Sequence, residues 1–391
     1  MSKIIKIEIH EFSHKVKNLG VLTNANTIGA VGFSRGQETE LNKYAVVVTT
    51  ADGGRGEYVT HWGGNSAACA QTKMLAPKLL DYRAEERERI YDDFKRELRQ
   101  FDHMGHGPID IALWDWAGKK LNCSISFLLG SYRTKLPAYA STYHGDRNGG
   151  LDSKEAFSDF AEECLGLGYQ AFKIHGWHEG NAKEEAENLV HVAKTVGDRM
   201  TLMIDPACQL KTFADALYVG HACDDAGYFW LEDPYRDSGV SSFAHKRLRE
   251  KIKTPILQTE HIRGIEPKAD FLIAGGTDFL RSDPEYDMGI TGAMKIAHLG
   301  ESFGIDVEVH ACGPAHRHVM GAMRNSNFYE VALVGPDCPN TMPPVYQCGY
   351  SDMIDCVDQN GYVEVPKGPG LGVVYDWDFI KANTTAKTIY D

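Results

Sequence analysis

No apolar run in this 391-residue chain approaches the roughly 20 residues of a membrane-spanning helix. The amino terminus, MSKIIKIEIHEF, alternates like a strand and lacks the apolar segment of a secretory signal. Positive charge is in deficit: 41 Lys and Arg stand against 54 Asp and Glu, a formal net charge of -13. That balance argues against nucleic acid and against anionic membrane surfaces as partners. Closely spaced cysteines are also lacking. The nine present form an odd, scattered set, read as reduced thiols of a cytoplasmic protein. Cys164, Cys208 and Cys223 lie in apolar surroundings and read as core filler. The Gly-rich stretch GAVGFSRGQ has no Lys-Ser/Thr phosphate cradle and reads as a loop. No low-complexity segment occurs. What these absences leave is a soluble globular chain of two domains, one of barrel size.

The pattern changes near residue 130. Before it, MSKIIKIEIHEF and KYAVVVTTADG read as antiparallel strands, with the Gly-rich loop around residues 29–36 between them. A charged helix near residues 82–101 follows, its AEERERIYDDFKRELRQ run a solvated face, and then an apolar helix at IDIALWDWAGKKL. Strands first and helices afterwards predict an α+β domain over residues 1–130. Beyond it, LPAYAST, AFKIHG, TLMIDP, YFWLED, PILQTE, FLRSDP, DVEVHA and FYEVAL alternate with helical stretches. Eight such strands predict a (β/α)8-type barrel over residues 131–355, an α/β fold. The tail, 356–391, regains strand and turn character and is expected to return to the first domain.

Three carboxylates recur at about 27-residue spacing, each just after a short apolar run: Asp205, Glu232 and Glu260. One β/α unit of a barrel of roughly 250 residues has that period, so the three converge on one rim. Unpaired carboxylates packed together repel, and a divalent cation with oxygen ligands relieves them. The bland alternative is three helix N-caps. Other strand ends offer Tyr143 and His144, Lys173 and His175, Asp283, His310 and Glu330, too polar a set for strand interiors that favour Val, Ile and Leu. His310, Cys312, His316 and His318 form a competing tract, but its spacing fits no usual zinc pattern.

Taken in order, these residues resemble the enolase superfamily, and within it the mandelate racemase-like subgroup. The resemblance spans the chain. Gly107 to Lys119 (GPIDIALWDWAGK) matches the helix that enters the barrel, and Lys173 to His175 matches the K-x-[KH] motif of the second strand. Asp205, Glu232 and Glu260 match the metal ligands, while SDPEYDMGITG places Asp283 as in the D…GIT motif. His310 and Glu330 fall on the seventh- and eighth-strand positions, and GPGLGV is familiar near the end. The resemblance implies one Mg2+ per subunit and abstraction of the proton α to a carboxylate. It also implies an Asp283–His310 dyad and a protonated Glu330 near the substrate carboxylate. Lys173 and His175 would flank one face of the substrate and His310 the other.

The subgroup's second lysine is replaced here by His175. That departure disfavours two-base racemisation and points to His310 as principal base, hence to dehydration of an acid sugar to a 2-keto-3-deoxy acid. A racemase, epimerase or cycloisomerase using the same enediolate is the alternative, and a non-catalytic binding protein a further one. The partner expected is a small sugar acid or hydroxy acid, and a homo-oligomer is the default. By analogy with the family, amino-terminal loops at residues 19–26 and 53–65 would cap the mouth. They offer Asn24, Asn26, His61 and Trp62 to a polyhydroxy substrate, with Tyr143 and Arg281 as further contacts.

Overall fold

Residues 2–22, 30–62 and 64–391 are described by the structure, a computed structural model. Asn24 and Asn26, expected near the substrate, lie outside them. Among the described residues no helix is long and apolar enough to cross a membrane.

The amino-terminal sheet is built from β1 (Ile4–Val21), β2 (Val31–Thr50) and β3 (Arg55–Val59). Its burial alternates on β1, where Ile7, Ile9 and Phe12 enter the core. The Gly-rich stretch departs from expectation, because residues 31–36 belong to β2 rather than to a loop. Gly20 pairs with Gly32 and Val21 with Val31, so the hairpin continues far beyond the core of the sheet. The irregularity that the glycines signal is a bulge instead. The ladder passes from Lys17↔Glu38 to Leu19↔Phe33, with Asn18 at φ 56 and Gly36 at φ 77 in between. Asn18 Oδ1 accepts from Gly36 N at 3.0 Å and so closes it.

The eight expected strands are all present as a parallel sheet. They are β4 (Lys135–Gly145), β5 (Ala171–Trp177), β6 (Thr201–Asp205), β7 (Trp230–Glu232), β8 (Ile256–Gln258), β9 (Phe279–Ser282), β10 (Val307–Val309) and β11 (Tyr329–Val334). Their order, β10-β9-β8-β7-β6-β5-β4-β11, is that of a nearly closed barrel. Strands buried on both faces explain the continuous apolar runs of the sequence. Tyr139, Ala171, Met203, Trp230 and Leu257 pack as one inner cluster that plugs the lumen below the site. A short β12 (Tyr362–Glu364) pairs antiparallel with β4, and β13 (Thr384–Tyr390) returns to pair with β1. The tail thus completes the amino-terminal sheet.

One carboxylate joins cap and barrel. Glu285, just after β9, accepts from Tyr58 OH and from His61 N, each at 2.7 Å. Helix Gly107–Leu121 adds a second link, where Asp110 accepts from Thr291 N and Oγ1 at 3.0 and 2.7 Å. These contacts hold Trp62 over the barrel mouth.

Candidate active site

Alternation along β5 puts Ala171, Lys173 and His175 on the lumen side. Lys173 pairs with Met203 and His175 with Asp205, so Lys173 lies one layer deeper than its neighbour. On β7, Trp230 and Glu232 share that side. On β8, Leu257 faces the lumen, and Thr259 at φ 86 resets the alternation so that Glu260 turns in. Ala207, Cys208, Asp233 and Ala311 also hold positive φ beside these strand ends. Such backbone is costly, and it clusters where side chains must be aimed.

The carboxylates of Asp205, Glu232 and Glu260 do converge, with one oxygen from each lying within 4.8 Å of the other two. Beneath them Lys173 Nζ lies 2.8 Å from Glu232, 3.0 Å from Glu330 and 3.5 Å from Asp205. Arg281, fully buried, reaches Glu232 Oε1 at 2.8 Å and Glu330 Oε2 at 2.6 Å. Counting permanent charges among the described residues, Asp205, Glu232, Glu260 and Glu330 face only Lys173 and Arg281, which leaves two negative charges uncovered. Glu232 bears the strain: burial, with Asp205 and Glu260 adding to it, pushes its carboxyl up to about 8 despite Arg281 and Lys173. An oxygen-only trio within a group of four carboxylates that carries a surplus of two charges suits one hard divalent cation.

Glu330 departs from the protonated acid expected of it. Burial raises its pKa, but Lys173 and Arg281 outweigh burial and hold it well below the usual carboxylate range. It also accepts from Ala311 N at 2.7 Å, as an ionised carboxylate would. Its two oxygens meet the two buried cations, Lys173 at 3.0 Å and Arg281 at 2.6 Å.

Asp283 and His310 stand as a dyad. His310 Nδ1 lies 2.7 Å from Asp283 Oδ2, and its Nε2 faces Glu260 at 3.4 Å. Burial depresses the imidazole's basicity, but Glu260 and Asp283 outweigh it and raise the pKa. Asp283 Oδ1 is occupied by Glu285 N at 2.7 Å and His316 Nε2 at 3.2 Å. Tyr286 stacks on the His310 ring, with centroids 5.7 Å apart. Across the lumen, His175 Nδ1 donates to Thr142 O at 2.8 Å, and its Nε2 lies 3.1 Å from Asp205 Oδ2.

These groups border a cavity of about 390 Å³, lined by Trp62, His175, Asp205, Glu260, His310 and Glu330 among others. Three expected contacts do not reach it. His61 is buried against Tyr346 OH at 2.6 Å, Tyr143 OH donates to Pro339 O at 2.8 Å, and Arg281 lies beneath the floor. The place foreseen for Tyr143 is taken by His144. A register shift between Ser141 and His144 on β4 swaps the faces of the two residues. His144 Nδ1 donates to Gly176 O at 3.1 Å, which leaves Nε2 as an acceptor toward the cavity. Cys208 is not core filler either; with His261 and Asp233 it lines the cavity, because the φ of 48 and 60 at Ala207 and Cys208 carries it out of the strand line. Cys164 and Cys223 are buried as expected. His316 and His318 are buried and bonded to Asp283 and Leu371 O, so the His/Cys tract does not converge on an ion.

The barrel and its cap agree with what known proteins show. Residues 156–379 match the family described as enolase C-terminal domain-like, and residues 22–130 match the mandelate racemase/muconate lactonizing enzyme amino-terminal domain. This chain belongs to the enolase superfamily, in its mandelate racemase/muconate lactonizing enzyme branch. It is 25% identical over 348 residues to arabinonate dehydratase of Saccharolobus solfataricus, covering 86% of this chain and 88% of that one. It is 31% identical over 282 residues to D-galactarolactone cycloisomerase of Agrobacterium fabrum, covering 69% and 71%. Among solved structures, D-glucarate dehydratase from Agrobacterium tumefaciens, complexed with magnesium, superposes with a TM-score of 0.83 at 26% identity, covering 98% of this chain and 100% of that one.

Proposed function

We propose that this protein is a Mg2+-dependent acid-sugar dehydratase. One observation carries the reading. His310 is the imidazole of the site that pairs through Nδ1 with a carboxylate outside the trio, Asp283, and turns Nε2 toward Glu260, whereas Lys173 has three carboxylates within 3.5 Å to engage its three N–H donors. The names of the dehydratase relatives support the reaction class.

Asp205, Glu232 and Glu260 would hold the cation, which when bound offsets the negative charge that develops on the substrate carboxylate as its α-proton leaves. His310 Nε2 takes that proton, and Asp283 keeps the proton on Nδ1 and stabilises the imidazolium. The imidazolium then gives its proton to the β-hydroxyl, which leaves as water with the C–O bonding pair. The resulting enol takes up a proton at C3, gives its O–H proton to solvent and becomes a 2-keto-3-deoxy acid. Lys173 and Arg281, pinned by Glu330, keep positive charge fixed beneath the reacting carboxylate at no cost in reorganisation. Trp62 and Tyr286 wall off water around His310.

The test is a library of sugar acids screened for 2-keto acid formation with Mg2+, alongside solvent-deuterium uptake at Cα. Keto-acid formation from at least one acid is expected, and His310→Asn should abolish both signals. Exchange that persists in that variant would sink the assignment. A second reading, epimerisation or cycloisomerisation, is favoured by His175 facing the cavity across from His310 and by the cycloisomerase relative. It predicts exchange without keto acid.

A further inference from the structure

The cavity wall beside the trio carries a second set of ligand-type side chains that the proposed reaction does not use. Cys208, Asp233 and His261 come from the segments that follow β6, β7 and β8. Each offers one donor atom, and the three atoms lie within 4.8 Å of one another. All three border the cavity. Two of them are tied through the backbone, since Cys208 N donates to Asp233 O at 2.7 Å. His261 Nε2 lies 3.1 Å from Asp233 Oδ2. The other oxygen, Oδ1, belongs to a residue only 1% exposed and has no hydrogen-bond partner among the described residues. A buried carboxylate oxygen left without a donor is destabilising, and a cation bound there would relieve it.

A thiol, an imidazole and a carboxylate make a soft mixed set, unlike the all-oxygen trio. Sulfur and nitrogen ligands select Zn2+-class ions over Mg2+. The other mixed group, His61, Cys312 and Asp352, is already committed. Asp352 accepts from Arg317, Tyr329 and Tyr350, and Cys312 Sγ donates to Ala332 O. We propose that Cys208, Asp233 and His261 form a second cation site, for a thiophilic divalent metal, separate from the carboxylate trio. Three protein ligands leave coordination positions open, and these face the cavity, where a hydroxyl or carboxylate oxygen of a bound acid would complete the shell. The site stands on its own donor set and is independent of which reaction the enzyme performs.

The test uses the whole protein with saturating Mg2+, titrated with Co2+ while the near-ultraviolet thiolate-to-cobalt charge-transfer band is read. One equivalent of Co2+ per chain is expected, displaced by Zn2+. Cys208→Ser should remove the band while leaving Mg2+-dependent thermal stabilisation intact, and Asp233→Asn should weaken Co2+ binding at least tenfold. His261 is 37% exposed in its side chain, so His261→Ala supplies the same comparison without opening the core. Absence of the band in the parent protein would overturn the proposal. So would an undiminished band in Cys208→Ser, which would assign the thiolate to another cysteine.

Discussion

Lys173 and Glu232 meet as a 2.8 Å ion pair in the barrel interior, each side chain 1% exposed. The pair is one corner of a network in which Lys173 also faces Asp205 and Glu330. Removing one partner of such a buried pair leaves charge without compensation, at a cost of about 3–5 kcal/mol. Lys173→Met should therefore lower the stability of the metal-free protein by about that much. It should also bind Mg2+ more tightly than the parent, because the cation nearest the trio is gone. Thermal unfolding with and without Mg2+ checks both, and a variant as stable as the parent would contradict the network.

Metal removal gives the complementary result. An ion that binds only the folded state stabilises it by about 2.7 kcal/mol at a hundredfold excess over Kd, roughly 3–5 °C in Tm for a chain of this length. Chelation should lower Tm by that amount, and Mg2+ should restore it. In Asp205→Asn the Mg2+ response should shrink to near zero. A full response in that variant would place the metal elsewhere.

Much of this was readable before any coordinates. Eight buried strands announce themselves because both faces need apolar residues, and parity then puts Lys173 and His175 on one side. Depth along a strand was not readable. Whether Arg281 reaches the mouth or lies beneath the floor depends on its register against Glu308 and Val307 in β10. Local breaks in alternation were equally hidden. The shift after Ser141 exchanges Tyr143 for His144, and the positive φ at Thr259 is what turns Glu260 inward. Composition gave no sign of either. The glycines at 32 and 36 suggested a loop, yet pairing with β1 recruits them into a long bulged hairpin.

The dyad makes a kinetic prediction. Asp283→Asn leaves a side chain of the same size beside His310 but removes the charge that stabilises its protonated form. General acid–base catalysis is worth about 10²–10⁴-fold, so kcat should fall within that range while KM changes little. Deuterium uptake at Cα should fall in parallel. Unchanged exchange would mean that the proton is taken by another group, with His175 the first to examine.

The last prediction concerns pH and lies away from the metal ligands. Glu185, in helix Ala182–Val196, is buried with its Oε1 accepting from Trp177 N at 2.7 Å. Burial pushes its carboxyl up to about 8 from an ordinary 4.5, against the lowering effect of that hydrogen bond. Between those two values the folded state keeps a proton that the unfolded chain has lost. The slope of stability with pH is then negative. Its contribution is intact below pH 4.5, declines as pH rises, and is lost by the time pH passes about 8. The total is about 5 kcal/mol, at about 1.4 kcal/mol per pKa unit. Glu185→Gln keeps the acceptor for Trp177 N and removes the ionisation. Urea unfolding at pH 5 should find the variant and parent alike. At pH 8 the variant should be the more stable by on the order of 4 kcal/mol, and equal loss of stability in both proteins would show that the Glu185 carboxyl is already ionised at neutral pH.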